Sequence, residues 1–214
     1  MANTITALKQ QKRNPQRVSV YLDGEYAFGL ARIVAAWLEV GQTLDEQRIN
    51  ELQAEDEVEA AYQRALNFLS YRSRSEAEIQ RNLQKHEVGD TVIEMVLARL
   101  REKRFVDDAQ FAADWVANRS DLKPRGAYAL RAELRQKGIA EPLIERALEG
   151  LDEDRLARAA AEKKTRQLKG FDWPEFRKKL SGYLARRGFG YEIVAEVCRA
   201  AWTDLHGHAP DTNL

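Results

Sequence analysis

Ser75-Glu-Ala-Glu-Ile-Gln-Arg-Asn-Leu83, continued by Val88, Val92-Ile93-Glu-Met-Val96-Leu97 and Leu100, decides the fold because it returns twice. A shift of 51 residues brings Ile79 onto Leu130, Leu83 onto Leu134, Val88 onto Ile139 and Ile93 onto Ile144. A further 50 reaches Leu180, Leu184, Phe189 and Val194, and Leu97 falls on Leu148 and then Cys198. Before each copy lies another amphipathic segment: Ala61–Tyr71, Ala109–Asn118 and Leu156–Leu168. Apolar residues at i, i+1, i+4, i+5 and i+8 make a one-sided helical stripe that must bury against its neighbours. The period therefore reads as three tandem three-helix repeats, and units that contact only their neighbours form an elongated or curved array.

Local signals punctuate the pattern. Ser73 with Glu76, and Asp172 with Glu175, have capping-box spacing. Pro142 suits the first turn of a helix. Between the second and third helices stand Lys137-Gly138 and Arg187-Gly188, where glycine closes a helix in the left-handed conformation. The first repeat places Lys85-His86 there, so either His86 takes a costly conformation or the turn differs.

The N-terminus reads differently. Arg17-Val-Ser-Val-Tyr-Leu22 and Glu25-Tyr-Ala-Phe-Gly-Leu30 alternate polar and apolar side chains around Asp23-Gly24, a strong hairpin signal. Ile5–Leu8 supplies a third strand, and Lys9–Arg17 is a basic loop. From about Ala31 the sequence reads as helix throughout, with Asp45 as a cap. The expected organisation is a β-hairpin module at 1–30, a connecting helical segment at 31–58, repeats at 59–108, 109–154 and 155–204, and a flexible tail at 205–214. The fold class is mainly α with a small N-terminal β module.

Composition narrows the function classes. In 214 residues, 44 % are hydrophobic and 32 % charged, with only 12 Gly and 5 Pro, which argues against collagen and wholesale disorder. No apolar run approaches the ~20 residues of a membrane span, and no basic-then-apolar leader opens the chain. The single cysteine, Cys198, forms no internal disulfide and suits a reducing compartment, so a cytoplasmic location is expected. The 34 basic and 34 acidic residues cancel but are zoned: residues 163–199 hold ten Lys/Arg against four Asp/Glu, whereas 41–60 hold seven acids and one base. Such a chain can offer a basic face to a polyanion and stay soluble. Helix pairs joined by short turns resemble helix-turn-helix units, so DNA binding enters the comparison.

Phe68-Leu-Ser-Tyr-Arg-Ser-Arg-Ser-Glu-Ala-Glu-Ile79, Phe105-Val-Asp-Asp-Ala-Gln-Phe111, Ala113-Asp-Trp-Val-Ala-Asn-Arg119, Lys123-Pro-Arg-Gly126, Leu134-Arg-Gln-Lys-Gly-Ile139 and Tyr183-Leu-Ala-Arg-Arg-Gly-Phe189 together resemble the bacterial RecX family. The resemblance covers about 60–202, and the hairpin module is similar to an N-terminal extension of longer members. It implies a non-enzymatic regulator with no catalytic residues to carry over; a monomer with no cofactor is expected. Such proteins lie along the groove of the RecA–single-stranded DNA filament and usually suppress its ATPase, strand-exchange and coprotease activities, in homologous recombination, DNA repair and the SOS response. The alternative is a helical repeat protein that binds DNA directly and competes for it. Neutral net charge favours the first, since duplex binders usually carry a strongly positive domain. The contact candidates are Arg72 and Arg74, then Lys123, Arg125 and Arg131, then Lys178, Lys179, Arg186 and Arg187.

Other residues invite sharper readings that their context weakens. His206-Gly-His208 lacks a third ligand, Asp107-Asp108 sits where a helix cap belongs, and Cys198, Trp115 and Trp202 fall on apolar faces. Trp173 could stack on a base, but packs by default beside Pro174. No phosphate loop, triad or carboxylate pair is visible, so no enzyme, metal site or membrane partner is expected.

Overall fold

The computed structural model describes residues 2–210 and divides into two units. Unit one holds residues 1–74 and 78–106, and unit two holds 75–77 and 107–214. Among the described residues the fold is mainly helical, and no helix is long and apolar enough to cross a membrane.

Unit one opens with β1 (Asn3–Gln10), β2 (Arg17–Leu22) and β3 (Glu25–Ala31), all antiparallel. Asp23 and Gly24 both take positive φ, 50° and 93°, as the tight turn of a two-residue hairpin requires. Asp23 also accepts from the Thr4 N–H at 3.0 Å, tying the turn to β1. The expectation of helix from Ala31 is not met until Glu46. A 3₁₀ turn, Val34–Trp37, comes first, and Thr43–Leu44 forms β4 on the free edge of β1, giving the order β3-β2-β1-β4. Residues 31–45 are therefore not part of a helical connector. A two-residue strand has no period to read, and only its pairing with Asn3 and Thr4 defines it.

Asp45 caps α1 (Glu46–Leu69), accepting from the Arg48 N–H at 2.7 Å, as its position suggested. This helix serves two cores. Leu52 closes the module around Ile5, Val20, Leu30 and Leu44, all at most 1 % exposed. About two and a half to three and a half turns later, Ala61, Tyr62 and Ala65 pack with α2 (Glu76–Gln84) and α3 (Asp90–Glu102) to make the first repeat. Between the two cores Glu59, only 6 % exposed, is held by Arg99 at 2.6 Å, and the Arg99 guanidinium lies 3.8 Å from the centre of the Tyr62 ring.

Unit two contains the second repeat, α4 (Asp108–Leu122), α5 (Ala127–Gln136) and α6 (Glu141–Leu148), and the third, α7 (Glu153–Arg166), α8 (Trp173–Ala185) and α9 (Tyr191–His206). Each repeat has its own core, and the repeating anchors lie inside it. Ile79, Leu130 and Leu180 are fully buried, as are Leu83, Leu134 and Leu184. Asp107 and Asp172 cap α4 and α8, and Pro142 sits in the first turn of α6.

The helix-closing turn is the same in all three repeats. The N–H groups of Val88, Ile139 and Phe189 reach back to Leu83, Leu134 and Leu184, and the left-handed residue is Glu87 (φ 61°), Gly138 (81°) and Gly188 (85°). Glu87, not His86, thus carries the conformation that glycine takes elsewhere. Leu205 and His206 complete α9 and are not part of a tail; His206 stacks on Trp202 at 3.9 Å. Residues 211–214 of the expected tail lie outside the described residues.

Candidate contact surface

The α4–α5 loop, Lys123-Pro-Arg-Gly126, is positioned by the third repeat. The Gly126 N–H donates to the Arg187 carbonyl at 2.9 Å, and the Arg187 guanidinium donates to the Pro124 carbonyl at 3.0 Å while lying over the Tyr183 ring. The next amide, Ala127 N–H, is taken by Glu153 at 2.7 Å, so the exposed donors at the start of α5 are satisfied from the neighbouring repeat. There is no room for a side chain at Gly126: a Cβ there would collide with the Gly188 carbonyl. Gly188 likewise sits against Ala129. The residues 75–77 take part in a comparable contact, with the Ser75 hydroxyl donating to the Lys137 carbonyl at 2.6 Å and Gly138 pressed against Ala77.

Carboxylates sort the nine candidate cations. Arg131 is held by Glu145 through two bonds at 2.8 and 3.0 Å, and those bonds, led by the Glu145 contact, raise its pKa. Arg125 pairs with Glu133 at 2.9 Å; the same carboxylate accepts from Arg119 at 2.9 Å and from the Trp115 indole at 2.8 Å. Arg72 grips Glu78 with two bonds, and Lys179 pairs with Glu175 at 3.2 Å. Arg187 is committed to Pro124. Lys123, Lys178 and Arg186 are exposed with no carboxylate partner among the described residues.

Arg74 is the most unusual of the nine. Its guanidinium lies 4.0 Å from the centre of the Phe68 ring, and its buried Nε has no hydrogen-bond partner among the described residues. Burial first, and the nearby Arg72 second, lower its pKa from the ordinary arginine value. The Glu78 carboxylate offsets part of this, and the cation is otherwise held against the ring with no ion pair among the described residues.

Two apolar residues that sequence reasoning passed over belong beside these cations. Tyr71 is 84 % exposed and Leu122 is 79 % exposed, and they occupy equivalent places 51 residues apart, each followed directly by a basic residue. The signal was present as Tyr71-Arg-Ser-Arg74 against Leu122-Lys-Pro-Arg125, an apolar residue followed by a basic one at the same place in two repeats. Trp173 and Cys198, in contrast, pack into the third core: Trp173 meets Trp202 edge-on at 5.5 Å, and Cys198 is 1 % exposed with its thiol pKa pushed up by burial.

Comparison with known proteins adds the identity of the framework. The models "RecX, first three-helix domain", "RecX, second three-helix domain" and "RecX, third three-helix domain" match residues 61–100, 107–148 and 152–198, and "Regulatory protein RecX N-terminal domain" matches 3–45. The chain belongs to the RecX family. The regulatory protein RecX of Bacillus subtilis strain 168 is 35 % identical over 196 residues, spanning 89 % of this chain and 74 % of its own. That of Bacillus licheniformis gives the same identity and coverage. A crystal structure of a regulatory protein RecX superposes with a TM-score of 0.76 at 30 % identity, over 91 % of this chain and 98 % of that one. RecX from Lactobacillus salivarius shares the fold, with a TM-score of 0.63 at 22 % identity over 69 % of this chain and 97 % of that one. Membership in the RecX family thus extends across the strand module and all three repeats, and its curated members carry the name of regulatory proteins.

Proposed function

We propose that the chain is a cytoplasmic, monomeric, non-enzymatic regulator that binds the RecA–single-stranded DNA filament and lowers its ATPase, strand-exchange and coprotease activities, acting in recombinational DNA repair and the SOS response. The observation that carries the reading is the match of regulatory-protein relatives across the strand module and every repeat. The geometry supports it on physical grounds. Repeats carrying similar surface elements suit a partner that is itself repetitive, because linked modest contacts multiply in strength. Lys123, Lys178 and Arg186, with no carboxylate partner among the described residues, and Arg74 against Phe68 supply the charge, while exposed Tyr71 and Leu122 supply apolar anchors. Arg72, Arg125, Arg131, Lys179 and Arg187 mainly hold the framework in place.

The test is single-stranded-DNA-dependent ATP hydrolysis by RecA of the same organism, titrated with this protein well below one molecule per protomer. Inhibition at low ratios is expected, and Arg186→Glu should weaken it while leaving helix content unchanged. Inhibition only when the protein matches DNA sites in number would replace filament binding with competition for DNA. No effect at either ratio would overturn the proposal.

A further inference from the structure

Unit one contains a cleft of about 950 Å³ between the strand module and α1 that plays no part in the reading above. Arg17 from β2, Arg32 after β3 and Arg64 from α1 line it, with the amides of Asn14, Gln63 and Asn67. Arg17 is tied to Asp56 at 2.8 Å. Arg32 and Arg64 are exposed and have no carboxylate partner among the described residues. The one carboxylate on the cleft wall, Glu59, is already bound by Arg99 and Gln63. The loop between β1 and β2, which puts Asn14 and Gln16 on the cleft wall, adds Lys12 and Arg13 without an acidic residue.

The 3₁₀ turn beside the cleft supplies the second observation. Its Ala36 lines the cleft, and the next residue, Trp37, is 89 % exposed although Ala35 and Leu38 on either side of this pair are buried. The depression against Trp37 shares Ile33 and Glu59 with the cleft and is completed by Arg48, Glu55 and Arg99, so the indole stands in the depression next to the cleft. An indole held in solvent by a structured turn, in a depression adjoining the cleft that carries Arg32 and Arg64, has the parts of a site for unpaired bases: charge for the phosphates and a ring face for stacking. A duplex keeps its base faces covered and gains nothing from such a ring.

We propose that this cleft binds single-stranded nucleic acid, with Arg32 and Arg64 on phosphates and Trp37 stacked on a base. The strand module would then grip the nucleic acid itself, independently of any contact the repeats make. The test is fluorescence anisotropy of a labelled fifteen-nucleotide oligothymidylate with the full chain and no recombinase, at 50 and 200 mM salt. Trp37→Ala should weaken binding roughly 5- to 150-fold, the value of one stacked base. The Arg32→Ala/Arg64→Ala pair should also weaken binding, and should flatten the slope of log affinity against log salt by about 1.4, at ~0.7 for each lost phosphate contact on a single strand. All three positions are exposed, and unchanged circular dichroism would show that the fold persists. Wild-type affinity and salt slope in both variants would overturn the proposal. So would variants that bind oligothymidylate normally but fail to inhibit RecA, since the cleft would then be a protein contact. Because the binding assay omits RecA, a negative result there leaves the filament reading to its own titration.

Discussion

Replacing Gly126 by alanine should loosen the junction between the second and third repeats, and the expected sign opposes backbone preference. Gly126 has φ −78° and ψ 163°, a conformation open to any residue, so its intrinsic preference favours alanine by about 0.4–1 kcal/mol through the unfolded chain. The added Cβ, however, would collide with the Gly188 carbonyl and stand 2.7 Å from the Phe189 nitrogen, both of them backbone atoms that cannot rotate away. Relieving the overlap moves α5 from the α8–α9 turn, at about 1–3 kcal/mol for overpacking. It also strains the Gly126 bond to Arg187 and the Arg187 bond to Pro124, each contributing about 1 kcal/mol. The net loss expected is about 2–4 kcal/mol. Gly182→Ala is the matched control: it lies within α8, and its Cβ would meet only the flexible end of Arg186 at 3.3 Å, so it should gain about 0.5–1 kcal/mol. Urea unfolding of the full chain, followed by circular dichroism and tryptophan fluorescence, measures both. If Gly126→Ala is as stable as the parent while Gly182→Ala gains, the close approach of α5 to the turn is refuted.

Three further outcomes follow from the same contacts. Glu87→Gly should raise the stability of the first repeat by up to about 1 kcal/mol, by removing a side chain from the left-handed region, and denaturant midpoints would read it. Arg99→Ala should cost about 2–4 kcal/mol, because it leaves the buried Glu59 carboxylate without its counter-ion, and replacing both partners (Glu59→Leu with Arg99→Met) should recover much of the loss. Burial raises the Cys198 pKa, so the folded state holds its proton more tightly than the unfolded chain. Stability from this group is full below the unfolded thiol pKa and is lost as pH rises through the folded value, and an alkaline decline that Cys198→Ala abolishes would show it in unfolding midpoints from pH 7 to 10.

The repeats were legible because their information is periodic. A buried branched aliphatic residue every 50 or 51 residues, at Ile79, Leu130 and Leu180, cannot be hidden by surface variation. The hairpin was legible because Asp23-Gly24 has local chemistry of its own. What escaped depends on partners distant in sequence. Thr43–Leu44 is a strand only because β1 offers an edge. The turn of the first repeat was misplaced for a local reason instead: the 51-residue shift puts Gly138 on Glu87, not on His86, and the Val88-to-Leu83 bond keeps that register. The contact candidates show the same limit. A basic residue near a turn looks alike in sequence whether Glu145 holds it, as at Arg131, or nothing does, as at Arg186.

That sorting reconciles zero net charge with the proposed action on a polyanion. Ion pairs such as Arg131–Glu145, Arg135–Glu141 and Arg158–Glu196 lie on exposed helix surfaces, where each contributes ~0–1 kcal/mol and little long-range field. Cations paired in this way are neutralised locally, and their number says nothing about binding. The field a partner meets comes from the remainder: Arg74 against Phe68, Lys123 in its loop, Lys178 and Arg186 around α8, and Arg32 and Arg64 at the cleft. If this reasoning holds, neutralising Arg131 should leave partner binding and its salt slope unchanged, whereas neutralising Arg186 should weaken binding and lower the slope, although the two residues are equally charged. Equal effects from both would mean that internal pairing does not decide which cations the partner meets.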